Sequence, residues 1–138
     1  MKKRMLLMLG VVAVSAVDVS AHHSFAAEYD ANKPVTLRGV VTKFELTMPH
    51  AWVRLDATDE NGKTGAWSAE FGNPNALLRR GWSKTTLTPG MEVTIEGSRA
   101  RDGSNTVHTT VIKLPDGRSL LNPAVGNAPD TNPNSGKK

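Results

Sequence analysis

Phe71-Gly72-Asn73-Pro74-Asn75-Ala76-Leu77-Leu78-Arg79-Arg80-Gly81-Trp82 is the one convincing helix signal beyond the N-terminal leader, and it decides the fold. Asn73 can cap the N-terminus, Pro74 suits the first helical position, and Gly81 can close the C-terminus behind Arg79 and Arg80. Ala76, Leu77 and Leu78 supply a short apolar side, which predicts two turns or slightly more. On both sides of this segment the apolar residues recur every second position, the signature of half-buried strands. The place of the helix in the strand order therefore sets the architecture.

Upstream, a strand over about 64–71 puts Trp67, Ala69 and Phe71 on one face. Asp59-Glu60-Asn61-Gly62 reads as the hairpin turn before it. The preceding strand starts at Ala51 and sends Ala51, Val53, Leu55 and Ala57 to one face, with Trp52, Arg54 and Asp56 on the other. Thr47-Met48-Pro49-His50 breaks the pattern. A first strand opens at Pro34 with Val35 and Leu37 and continues through Val40, Thr42, Phe44 and Leu46. The change of phase at Gly39-Val40-Val41 predicts a bulge or bend. Downstream, a turn at Leu87-Thr88-Pro89-Gly90 leads to a strand with Met91, Val93 and Ile95 on one face. Arg101-Asp102-Gly103-Ser104 turns into a fifth strand over 106–114, and a turn at Pro115–Arg118 precedes a short extension over 119–121. Three strands, a helix and two strands predict an all-β domain with one short helix, an OB-fold-like five-stranded barrel in the order β-β-β-α-β-β. A lipocalin-like barrel needs more strands, and an immunoglobulin-like sandwich has no helix in mid-chain.

The N-terminus reads as a secretory signal over residues 1–21: Lys2, Lys3 and Arg4, an apolar run, then small residues. Val19 and Ala21 satisfy a cut that leaves His22 first, and Val14-Ser15-Ala16 offers an earlier alternative. The expected organisation is an extended arm over 22–33 carrying Phe25 and Tyr29, a barrel over 34–121 and a disordered tail over 122–138. The expected location is the periplasm of a Gram-negative bacterium, or outside the cell, with no membrane span after cleavage. The 138-residue chain has no cysteine, which excludes disulfides, thiolate metal sites and a lipobox. Without the leader it carries 14 basic and 12 acidic residues, a charge of +2 that does not suit nucleic-acid binding.

HHSFAAEYD from His22, GVVTKFE with the following PHAW, WSAEFGNPNALLRRGW, and PG-x-EVTIEG-x-RA-x-DGSN together resemble one family, DUF6152, small exported bacterial proteins of unknown function. The resemblance covers about His22 to Leu120. Where that family often reads Asn-Pro-His, this chain has Met48-Pro49-His50. The resemblance implies an exported β-barrel-like domain and brings no activity, cofactor or catalytic residue.

An N-terminal histidine offers its α-amine and its ring Nδ1 to one metal ion. His22 in that position, with His50 as a third nitrogen, is the arrangement of a copper brace, so copper is the candidate cofactor. His23 points the other way on an extended arm and is the weaker co-ligand. Glu28, Asp30 and Glu70 could serve as oxygen ligands or orient an imidazole. The structural reading stands beside this one, with a solvated arm, His50 in a turn and His108 on a strand surface. Trp52 and Trp67, with Glu70, could line a ligand face, since OB barrels often bind across strands two and three; tryptophan packed in the core is the plainer alternative. No nucleophile elbow, phosphate loop or HExxH helix is present, so the sequence does not point to catalytic turnover. Two functions remain: an exported copper-binding protein, or a metal-free OB module binding a small ligand or an envelope protein.

Overall fold

The structure is a computed structural model that describes residues 25–122. It contains β1 (Tyr29–Glu45), β2 (Trp52–Thr58), β3 (Thr64–Glu70), α1 (Pro74–Arg79), β4 (Glu92–Ala100), β5 (Thr106–Lys113) and β6 (Ser119–Leu121). The predicted leader, His22, His23 and nearly all of the predicted tail lie outside the described residues.

The 17-residue β1 is long enough to pair antiparallel with both β2 and β4. The hairpin β2–β3 extends one side, and β4–β5 the other. The ring then closes where β3 meets β5 in parallel, Ser68 opposite Thr106, Ala69 opposite Val107 and Glu70 opposite His108. Strand order, closure and a helix between β3 and β4 give the expected OB-like ring of five strands. The short β6 adds to the far half of β5.

The inward faces carry Val35, Leu37, Val41, Val53, Leu55, Trp67, Ala69, Ile95, Val107 and Ile112 into one core, joined by Phe71, Leu77 and Trp82. Asn73 caps α1 as predicted, its side chain accepting from the Asn75 N–H at 2.8 Å, and Gly81 takes a φ of 89° after the helix. Leu77 drops into the core, and the Phe71 and Trp82 rings meet edge to face at 5.4 Å.

Three local expectations change. The phase of β1 switches later than predicted: register against β2 slips between Val41 and Lys43, and Val40 stays partly exposed. Gly39 keeps its register, and its role is close approach, because a Cβ there would lie 2.1 Å from the Asp56 carbonyl oxygen. The arm is not extended throughout. Residues 25–28 form a helical turn, and β1 begins at Tyr29, where Tyr29 and Asp30 pair with Ala100 and Arg99. Arg101 stabilises that turn, its backbone N–H donating to the Glu28 carbonyl (2.8 Å) and its Nε to the Ala26 carbonyl (2.7 Å). Asn122, expected to start the tail, is instead buried. Its backbone N–H donates to Thr110 O (2.9 Å), its Nδ2 to Thr109 O (2.7 Å), and its Oδ1 accepts from Gly72 N–H (2.9 Å).

Candidate functional site

Strand periodicity sends Trp67, Ala69 and Phe71 inward, so Glu70 projects from the opposite, outer face of β3. An outward glutamate ordinarily meets water. Glu70 does not: it is 5% exposed. Its cover comes from three other parts of the chain, which the topology brings to this point. Tyr29 arrives from the start of β1, His50 from the β1–β2 loop, and His108 from β5, paired directly opposite Glu70 across the closing ladder.

The contacts are polar. The Tyr29 hydroxyl donates to Glu70 Oε2. His50 Nδ1 meets Glu70 Oε1, and His108 Nδ1 stands 3.8 Å from Oε2. One carboxylate thus gathers a phenol and two imidazoles. Phe25, from the helical turn, stacks on Tyr29 at 5.8 Å and meets the His108 ring edge-on at 4.9 Å, closing the cluster on the N-terminal side. The two histidines differ in access. The His50 side chain is 48% exposed, whereas that of His108 is 16% exposed, enclosed by aromatic rings.

Burial pushes the Glu70 carboxyl up, but the facing His108 imidazole, the hydrogen bond from Tyr29 and the positive charge that His50 and His108 can carry hold it below the usual glutamate range. Tyr29 moves the other way: burial, then the hydrogen bond to Glu70 and the Glu70 charge, all raise its pKa far above that of free tyrosine. Tyr29 is the sole tyrosine in the chain, so this is directly readable. An ultraviolet titration of the folded protein should show no tyrosinate absorbance at pH 11, while the denatured chain ionises near pH 10. A raised folded pKa means that the contribution of Tyr29 to stability is complete below about pH 10 and is lost as pH rises beyond it. Tyrosinate appearing near pH 10 in the folded state would refute the Tyr29–Glu70 bond.

Of the residues predicted from sequence, the structure brings together Glu70, His50 and Trp52, which lies opposite Glu70 in the β2–β3 ladder. Trp52 is half-buried, with the Arg54 guanidinium 5.0 Å from its ring centroid. Beside it runs an open groove of about 420 Å³ bounded by Glu28, Tyr29, Trp52, Arg101, Asp102 and Ser104. It lies against the β4–β5 loop, one of the loops that OB barrels use for ligands. Trp67 is elsewhere: it is 3% exposed in the core, with Arg99 5.0 Å from its ring centroid. Asp30 faces Arg101 at 3.8 Å. Tyr29 and His108 were not picked out as site residues from sequence; an outward histidine on a strand is a weak signal, and its pairing with Glu70 depends on ring closure.

Among the described residues, no group of three or more His, Asp or Glu side chains could hold a metal ion by itself. Glu70 faces the Nδ1 atoms of both imidazoles and so orients them. A family model described as "Family of unknown function (DUF6152)" matches residues 10–109. No curated protein and no solved structure matches the chain.

Proposed function

The chain belongs to DUF6152, a family of unknown function, and we propose from its own residues that it is an exported copper-binding protein whose mature N-terminal His22 completes a site begun by His50. The observation that carries this reading is the contact of His50 Nδ1 with the buried carboxylate of Glu70, on a side chain that is half exposed. A carboxylate acceptor fixes the proton on Nδ1 and leaves Nε2 with a free lone pair on a ring that is half exposed. This is how carboxylates commonly orient metal-ligating histidines. His22 stands three residues before Phe25, a tether of about 10 Å when extended. Phe25 packs on His108, which shares Glu70 with His50. The tether to His22 thus starts from the cluster that holds His50. His108 supports the site from inside the aromatic cluster. His23 is the alternative nitrogen donor on the same tether.

Capture proceeds by nitrogens that have lost their protons, so affinity falls on acidification. The test is native mass spectrometry and a Cu(II) titration of protein beginning at His22. One copper per chain is expected, with affinity at least about tenfold lower in His50→Ala and in a chain whose His22 α-amine is acetylated. Unchanged affinity in both variants refutes the proposal.

The groove beside Trp52 supports a second reading, a metal-free module that holds a small ligand or an envelope protein there. Its partly exposed indole and the charged Glu28, Arg101 and Asp102 suit a ligand with both a flat face and polar groups. Trp52→Ala leaving all ligand and partner binding intact would remove that surface from consideration.

A further inference from the structure

Met48 is 64% exposed, the most exposed of the large hydrophobic side chains among the described residues, and it stands two positions before His50. The β1–β2 loop that carries both is held at its ends. Thr47 Oγ1 donates to the His50 carbonyl (3.1 Å), and Ala51 exchanges backbone hydrogen bonds with Gly72 and Phe71 (3.0 and 2.9 Å). That loop carries two donor side chains, one meeting the last residue of β3 and the other the residue that caps α1. His50 reaches Glu70, and the Met48 sulfur lies 3.7 Å from Asn73 Nδ2. A thioether and an imidazole thus stand two positions apart on one loop, and both are open to solvent.

From this juxtaposition we infer that Met48 is a second metal ligand that lets the site take Cu(I) as well as Cu(II). The inference rests on His50 being a copper ligand, as proposed above. A thioether is a soft, neutral donor that favours Cu(I), whereas the amine and imidazole nitrogens suit Cu(II). Asn73 offers the sulfur only a weak N–H contact, which a copper ion would replace at little cost. Because Asn73 keeps its capping bond to Asn75, the helix does not depend on the sulfur. The pair Met48–His50 therefore gives the reduced ion its own ligand set on a loop that is already in place, and His22 is needed chiefly for the oxidised ion.

The experiment is a pair of titrations on the chain beginning at His22: Cu(I) under anaerobic conditions against a colorimetric Cu(I) chelator, and Cu(II) against a Cu(II) chelator. Each is run on the wild type, on Met48→Leu, which keeps the volume and removes the sulfur, and on His50→Ala. Met48→Leu should weaken Cu(I) binding about tenfold or more and leave Cu(II) binding within about twofold, while His50→Ala should weaken both. Cu(I) affinity unchanged in Met48→Leu overturns the inference and leaves the Cu(II) site standing. Equal losses for the two ions also overturn it, because the methionine would then serve only to shape the loop. A wild-type chain that binds neither ion removes this inference together with the copper reading.

Discussion

Gly97→Ala should lower the thermal midpoint by on the order of 15 °C, corresponding to roughly 3 kcal/mol for a domain of this size. Gly97 lies on β4 where its register against β5 slips, and it faces the backbone of the neighbouring strand. A methyl group added there would stand 2.0 Å from the His108 carbonyl oxygen, 2.8 Å from Val107 Cγ2 and 2.9 Å from the His108 carbonyl carbon. Two of those three atoms are backbone, so no rotamer change relieves the overlap, and β5 has to move. β5 also closes the ring against β3 through Val107 and His108, so the displacement would open the ladder that seats His108 beside Glu70. Gly65→Ala is the matched control. Its Cβ would meet only the Asn105 amide nitrogen at 3.2 Å, the end of a side chain that can shift, and its midpoint should change by a few degrees. Melting curves followed by tryptophan fluorescence measure both variants. Equal shifts for the two would show that the close approach of β4 to β5 is not what demands glycine at position 97.

That contrast also marks what could be read before any coordinates. The element order was readable because each strand alternates and because Asn73, Pro74 and Gly81 announce both ends of α1. Those are local signals, and the local geometry obeys them. Gly39 was readable as unusual, but a glycine needed for close approach looks the same in sequence as one needed for a bulge. The true slip, between Val41 and Lys43, has no glycine to mark it. Half of the candidate site was visible: the placement of His50 in a loop and of Glu70 on the outer face of its strand are properties of short stretches. The bond from Tyr29 to Glu70 spans 41 positions, and His108 meets Glu70 only through the parallel pairing that closes the ring. Strand periodicity says which face a side chain takes. It does not say which strand will lie beside it. Glu70 illustrates the limit: alternation assigns it correctly to the outer face, and only the closure of the ring explains why that face is dry.

Glu70 is also where the proposed function and the stability of the fold can be separated, by comparing Glu70→Ala with Glu70→Gln. Alanine deprives the buried Tyr29 hydroxyl of its acceptor and both imidazoles of their shared partner, which should cost about 3 kcal/mol in chemical denaturation at neutral pH. Glutamine keeps the shape and one acceptor oxygen, so it should cost about 1 kcal/mol. Its amide nitrogen, however, is a donor. A His50 that turns Nδ1 toward it must accept there and carry its proton on Nε2, the nitrogen that the proposed copper site requires. Copper affinity in Glu70→Gln should therefore fall about 10- to 100-fold, far out of proportion to the stability loss. The pH dependence follows from the same carboxylate. Its folded pKa is held below the ordinary value, so its contribution is complete above about pH 4.3 and drains away as pH falls through the folded value. The stability gap between wild type and Glu70→Gln should accordingly narrow below about pH 4. Asp59 and Asp102, whose carboxyls are also held low, keep a common acid sensitivity in both proteins. If Glu70→Gln bound copper as tightly as the wild type while the gap narrowed on schedule, Glu70 would be a structural anchor alone and His50 would not owe its ligating tautomer to it. A loss of copper affinity with the fold intact would identify the buried carboxylate as the group that readies His50 for the metal.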